Sequence, residues 1–444
     1  MRIDSIRLEN YRCHADLTVE FGPGFNVIVG VNGSGKTSLL SAICEALNGV
    51  LGHLQVPGFS RLQDADAVRL LVTHVAGRYR FEPQYPVMIK ATGYAIDPNE
   101  LQYSTPEQHF DLSLGKASPV HAAEVVSAPF RQARYVLRDA QSFARPTQSP
   151  PMPLAAFYRA NRHWNPGQTE PMQAATQRHA RADGYSNWWD ASLDGAALLT
   201  WVISKHLERF EAASETGKPL QSLDDDELVL VNAALAEAVE GIKGLRYDFS
   251  RKSLLVEWQS GAPTAATPFE NLSDGQKAVI GLVADIARRM CLLNPQLGQE
   301  VTLKTDGVVL IDELDVHLHP HWQRILTNGL KKAFPAVQFI VASHSPQVLG
   351  ELSPDEIILL RPEGTAHPQV SYGLTSSQVL EEIMGTTART ADVESSLSVL
   401  FGALERNELD QARKTLKQLK DAAPGIAELA GAEALLKRKE LLGR

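Results

Sequence analysis

Short, unbroken apolar runs punctuate this chain, and each stops abruptly at glycine, acidic or small polar residues. The runs around Asn26 to Val29, Gly307 to Ile311 and Phe339 to Ala342 are β-branched-rich and lack alternation, which predicts strands buried on both faces of a parallel sheet. Arg2 to Asn10 and Asp16 to Phe21 read as a pair of N-terminal strands, Leu154 to Tyr158 as another strand, and Tyr247 to Gln259 as a hairpin. Residues 306 to 361 supply the last core strands. From about 190 to 242 the period becomes helical, with Trp201, Ile203, Leu207 and Phe210, then Leu228, Val231, Leu235 and Val239. A further helix face runs Val279, Leu282, Val283, Ile286, Ala287, Met290. After Gly373, Ser376 or Ser377 is placed to cap a helix over Val379, Leu380 and Ile383, and helices fit 392–406, 408–421 and 425–441, broken at Pro424-Gly425. No heptad pattern is sustained, which excludes a long coiled-coil arm. The pattern predicts an α/β chain with an inserted helical lobe and a C-terminal helical appendage.

Candidate chemistry sits where the apolar runs end. Gly30-Val31-Asn32-Gly33-Ser34-Gly35-Lys36-Thr37 follows the first run and opens a helix-compatible segment, the full pattern of a phosphate-binding loop. There the backbone N–H groups of Asn32, Gly33, Ser34 and Gly35 surround a phosphate, Lys36 bridges the β- and γ-phosphates, Thr37 ligates Mg²⁺, and Ser38 continues the loop into its helix. The second run ends in Asp312-Glu313. Adjacent strand-end residues point in different directions, so Asp312 is expected to hold the Mg²⁺ shell while Glu313 polarises a water as base. Between them, Ser273 and Gly275 open the helix that follows Asn271-Leu272, and bare N–H groups beside a hydroxyl make an anion site. The third run ends in Ser343-His344, whose imidazole is placed to contact a γ-phosphate.

Composition narrows the setting. The chain has 444 residues, enough for one large or two moderate domains, with a net charge of −9 that argues against general nucleic-acid coating. The charge is uneven: residues 131–181 carry eight arginines against Asp139 and Glu170, with Tyr135, Phe143, Tyr158 and Trp164 interleaved. This reads either as a basic surface for DNA, RNA or an acidic partner, or as a solvated face over core aromatics. Cys13, Cys44 and Cys291 form no C-x-x-C pair, which points to a reducing compartment and away from a zinc hook. Without a signal peptide or a run long enough to span a membrane, the expected location is the cytoplasm. His317, His319 and His321 alternate as metal ligands sometimes do, but loop contacts and a helix start before His321 fit them better.

Taken with these motifs, Val309-Leu310-Ile311-Asp312-Glu313-Leu314-Asp315-Val316-His317-Leu318-His319-Pro320 resembles the SMC/RecF/OLD-like bacterial ATPases. Phe334-Pro335 and Ala342 to Pro346 extend the match, and Asn271 to Lys277 is similar to the ABC signature with Asp274 at its second position. Within that class the chain is most similar to the ATPases of anti-phage defence operons, the PtuA type of Septu and related retron systems, with AriA of PARIS a close relative. The resemblance implies a P-loop NTPase of ABC/SMC-head type that uses ATP and Mg²⁺. Lys36, Glu313 and His344 would be catalytic, and Arg12 would contact nucleotide from the N-terminal strand. Ser273 and Gly275 would serve the nucleotide of a second protomer, which implies at least a homodimer. The implied domains are an ATPase lobe over 1–165, a helical lobe over 166–245, a second ATPase lobe over 246–373 and the appendage over 374–444.

By the same resemblance, the function is that of an ATP-hydrolysing sensor and scaffold. It would control a separate effector, an HNH nuclease, in response to DNA or a phage trigger, with no membrane involved. Residues after His344 read as one strand and helices, with no nuclease motif. The alternative is a RecF/OLD-like DNA-binding ATPase of DNA repair. The magnesium-sensing glutamine of such ATPases has no assignable position among Gln141, Gln168, Gln173 and Gln177.

Overall fold

The structure, a computed structural model, describes all residues except 52–66, 76–77, 95–108, 119–123, 128–150, 163–173, 175–178, 192–194, 218, 220–225, 260–263, 388 and 443–444. The described residues form two compact units, Met1–Gly373 and Leu374–Arg444.

The first unit is organised by a six-stranded sheet. Its strands are β3 (Phe25–Val29), β9 (Leu154–Tyr158), β13 (Gly307–Ile311), β14 (Val337–Ala342), β15 (Ile357–Arg361) and β16 (Gly364–Ala366), in spatial order β16-β15-β3-β14-β13-β9. All pairs are parallel except the terminal β15–β16 pair. Every residue of β3, β9, β13 and β14 is buried, which is why these strands lack alternation in sequence. The strands end together, so the residues after Val29, Tyr158, Ile311 and Ala342 meet at one sheet edge, the usual place for a ligand in an open α/β sheet.

A second, antiparallel sheet has the order β2-β1-β6-β7-β8, built from β1 (Arg2–Tyr11), β2 (His14–Glu20), β6 (Val87–Tyr94), β7 (His109–Lys116) and β8 (Glu124–Ser127). Its β6 buries Val87, Ile89 and Ala91 in strict alternation. The two sheets are stitched by Gln338 of β14. Its Oε1 accepts from the Ile3 N–H at 2.8 Å, and its Nε2 donates to the carbonyls of Ile3 and Gly22, each at 2.8 Å. A buried amide with all its bonds made fixes one sheet against the other. In chain order, a separate two-stranded hairpin of β4 (Leu70–Val75) and β5 (Arg78–Pro83) precedes β6.

Among the described residues of the first unit, the α-helices longer than about one turn are α1 (Lys36–Leu51), α2 (Gly195–Thr216), α3 (Glu227–Ala238), α4 (Asp274–Leu293) and α5 (Pro320–Ala333). The strand pair read from Tyr247 to Gln259 is a hairpin of β10 (Ile242–Asp248) and β11 (Ser253–Trp258), to which β12 (Ala266–Pro268) adds a third strand. Helix α4 is capped by Ser273 and stops at Asn294, whose side chain brackets Met152 by accepting from its N–H at 2.6 Å and donating to its carbonyl at 2.8 Å. None of the described helices is long and apolar enough to cross a membrane.

The second unit packs α6 (Ala391–Glu405), α7 (Leu409–Ala422) and α8 (Glu428–Leu442) around Leu397, Leu400, Leu404, Leu416, Leu419 and Leu436. Its entry corrects the expected cap. Thr375, not Ser376 or Ser377, caps the turn Ser376–Gln378, because Thr375 and Gln378 satisfy each other's backbone N–H groups in a capping box.

Candidate nucleotide-binding site

The loop between β3 and α1 wraps back on itself through two left-handed glycines, Gly33 (φ 81°) and Gly35 (φ 94°). A Cβ on Gly35 would lie 2.4 Å from Nε2 of His14 and 2.5 Å from Sγ of Cys13, so only glycine lets the loop pass this strand end. Lys36 folds over the loop and donates to the carbonyls of Gly30 (2.9 Å) and Val31 (3.1 Å). Burial lowers the affinity of its amine for a proton, while the carboxylates of Asp312 and Glu313 act in the opposite direction.

The contact that joins the two ends of the site within the chain is short. Thr37 Oγ1 donates to Asp312 Oδ2 at 2.9 Å, joining the start of α1 to the end of β13. Burial pushes the Asp312 carboxyl up from its usual range, opposed by the Thr37 hydroxyl and by the positive charges of Arg162 and Lys36. An exposed hydroxyl beside a buried carboxylate is suited to a hard divalent cation, and the fit holds with Mg²⁺, which takes few protein ligands.

Lys36, Thr37 and Asp312 line a cavity of about 730 Å³ together with Arg12, Asn32, Gly33, Gly35, Ser38, Glu313 and His344. The size suits a nucleotide-scale ligand. Cys13, Val68 and Leu70 join its wall, and no motif marks them for that place. Ser34, expected in the phosphate-binding set, is not on that wall; its Oγ is buried in the loop beside Gly30. Glu313 is held at φ 51°, a left-handed conformation for a non-glycine residue. His344 is half-buried, and burial together with the nearby Lys36 charge holds its imidazole below its ordinary pKa, which favours the neutral ring. Its backbone N–H donates to Asp315 Oδ1 at 3.3 Å, and Ser343 Oγ donates to the same oxygen at 2.7 Å, so Asp315 ties the turn after β13 to the end of β14.

Ser273 and Gly275 sit elsewhere. They border a second cavity of about 420 Å³ with Asp274, Gln276, His317, Leu318, His319 and Trp322. The two cavities share no lining residue. Ser273 caps α4 by accepting from Gln276 N at 3.3 Å, while Gln276 Oε1 accepts from Ser273 N at 3.1 Å. Gly275 packs directly on the loop after β13, where a Cβ would approach His317 O to 2.3 Å. Among the described residues no cluster of three histidines, cysteines or carboxylates is placed to hold a metal. His319 caps α5 instead, its Nδ1 accepting from His321 N at 3.3 Å.

The basic stretch resolves in part. Arg131, Arg134, Arg138, Arg145 and Arg178, the aromatics Tyr135, Phe143 and Trp164, and the four glutamines Gln141, Gln168, Gln173 and Gln177 lie outside the described residues. The three described arginines turn into the protein. Arg159 donates to Trp189 O and pairs with Asp190, Arg162 is buried, and Arg181 donates to Leu293 O at 2.7 Å.

Comparison with known proteins agrees with this geometry. Residues 5–87 match the family described as "AAA domain", and residues 204–350 match "AAA domain, putative AbiEii toxin, Type IV TA system". The chain is 33% identical over 189 residues to "Retron Ec83 probable ATPase" of Escherichia coli, covering 42% of this chain and 34% of that protein. It is 21% identical over 469 aligned positions to "Retron Vc95 probable ATPase" of Vibrio cholerae serotype O1 biovar El Tor, covering 95% of this chain and 86% of the relative. With "Septu protein PtuA" of Bacillus mycoides (strain KBAB4) it shares 33% identity over 145 residues, 32% of this chain and 20% of the relative. The match thus spans about a third of the first relative and a fifth of the third. The chain carries an AAA/ABC-type P-loop ATPase domain in an α/β fold, and its homologues are the ATPases of retrons and the PtuA proteins of Septu.

Proposed function

We propose that this chain binds and hydrolyses ATP with Mg²⁺ and serves as the sensor and scaffold subunit of an anti-phage defence complex. Nucleotide-dependent dimerisation would control a toxic effector carried on another chain, with an HNH-type nuclease the leading candidate by likeness to PtuA. The observation that carries the reading is the 2.9 Å contact between Thr37 and Asp312, which are far apart in sequence and meet at the mouth of the phosphate loop. Lys36 would exchange its loop carbonyls for phosphate oxygens, and Thr37 and Asp312 would hold the metal that neutralises them. Glu313, one residue beyond Asp312 and on the cavity wall, would orient the attacking water, with neutral His344 as a hydrogen-bonding partner of the terminal phosphate.

The separation of the two cavities supports completion of the site in trans. Ser273 and Gly275 do not border the cavity that holds Lys36, so a capping role for them requires a second copy of the chain. ATP held between two copies would stabilise the dimer, and hydrolysis would loosen it.

The test is a phage challenge of cells carrying the chain with its neighbouring genes, wild type against Lys36→Ala. Protection should disappear in the variant at equal protein level. Undiminished protection by Lys36→Ala contradicts the reading, and sensitivity of the variant strain to DNA damage instead would favour a repair ATPase.

A further inference from the structure

We infer that Arg162 is a positioning residue for ATP hydrolysis, setting the backbone turn that aims Glu313 by gathering three consecutive main-chain carbonyls onto one guanidinium. The inference rests on the ATPase reading above and concerns a residue that makes no contact with the cavity.

Strand β13 ends at Ile311, and its ladder with β9 continues one step further, with Asp312 N donating to Tyr158 O at 2.8 Å. The chain then leaves the sheet through Glu313 at φ 51°. A left-handed glutamate needs a compensating restraint, since nothing in its side chain favours that conformation. Arg162 supplies it. Its Nη1 donates to Asp312 O at 2.5 Å, and its Nη2 donates to Glu313 O at 2.8 Å and Leu314 O at 3.4 Å. A planar fork with donors on two nitrogens suits carbonyls that converge from successive residues, which a point charge on a flexible stem matches poorly.

Arg162 is itself well anchored. It follows β9 by four residues, its backbone N–H turns back to Arg159 O at 3.1 Å, and its side chain is 8% exposed. Burial disfavours its cation, and the carboxylates of Asp312, Asp315 and Glu313 sustain it. One side chain from the end of β9 therefore fixes the polypeptide that carries both carboxylates of the site. Glu313 reaches the cavity wall while its own carbonyl is held from behind, so loss of Arg162 frees the turn without touching the phosphate loop.

The consequence is a split in kinetic parameters. With Lys36 and Thr37 intact, ATP binding should persist, while misaimed Glu313 slows the chemical step. ATP turnover and ATP affinity are to be measured for wild type, Arg162→Lys and Arg162→Ala, each at a temperature well below its own melting midpoint. Arg162→Ala should lose at least about tenfold in kcat with KM for ATP within about threefold of wild type. Arg162→Lys should fall between the two, and ethylguanidinium added to Arg162→Ala should restore part of the turnover. Equal kcat in all three proteins, or a loss confined to the melting temperature, would overturn the inference while leaving the ATPase reading standing. A KM increase with kcat unchanged would also overturn it, by making Arg162 a substrate ligand. Absence of turnover in the wild type would remove the ATPase reading itself, and this inference with it.

Discussion

On the proposed reading nucleotide binding turns on Lys36, whose ammonium is held over the loop by two carbonyls that a phosphate would replace. Two charge-assisted hydrogen bonds of about 1.5–3 kcal/mol each correspond to a loss of at least roughly 100-fold in ATP affinity for Lys36→Ala, measurable by titration calorimetry. Glu313→Gln should bind ATP as tightly as wild type and slow its turnover by about 10²- to 10⁴-fold, the usual range for a lost general base. Equal turnover by the two proteins would show that Glu313 is not the base. These residues were legible in sequence because the chemistry demands their types at fixed spacing. Arg162 was not. It stood among eight arginines in one stretch, and its partners are backbone carbonyls, which leave no mark on side-chain pattern.

Packing between elements sets the second scale. Asp285 of α4 is buried beneath the end of β9, where it accepts from Tyr158 Oη at 2.8 Å, Arg288 Nη2 at 2.6 Å and Arg289 Nε at 2.7 Å. Burial alone would raise its carboxyl, but the two arginines outweigh burial and hold it well below the carboxylate range. Replacing it in Asp285→Asn leaves two buried guanidinium groups facing a neutral amide, at a cost of about 3–5 kcal/mol in unfolding free energy by urea titration. Because the folded carboxyl has the depressed pKa, its stabilisation is present above the unfolded value near about 3.9 and is lost as pH falls below it. The stability gap between wild type and Asp285→Asn should therefore narrow below about pH 4.

Gly329 of α5 tests helix packing in the same way. Its Cβ would lie 2.1 Å from Ala238 O at the end of α3, so Gly329→Ala should destabilise by about 1–3 kcal/mol through forced separation of the two helices. At this scale the buried parallel strands were legible, since continuous apolar runs leave little choice. Strands β6 and β7 carry a clear alternation, Val87-Ile89-Ala91 and Phe110-Leu112-Leu114, yet their place in the N-terminal sheet depends on pairing with β1 across some eighty residues. Such long-range pairing is set by the tertiary fold, and the pattern of the strand alone does not supply it.

At the scale of the whole molecule, the proposed function requires one chain to hold two halves of different sites. The phosphate loop, Asp312 and His344 border one cavity, and Ser273 and Gly275 border another. Motif order in the sequence pointed to that division, and the geometry within one chain is consistent with it. The most direct measurement is the mass of purified Glu313→Gln by light scattering, with and without ATP·Mg²⁺, alongside the double variant Glu313→Gln/Ser273→Arg. ATP should raise the mass of Glu313→Gln by at least one 48.6 kDa protomer, and Ser273→Arg should abolish the increase while ATP stays bound. A protein that retains one ATP per chain with no change in mass, or whose mass rises equally with Ser273 replaced, would contradict the proposed function.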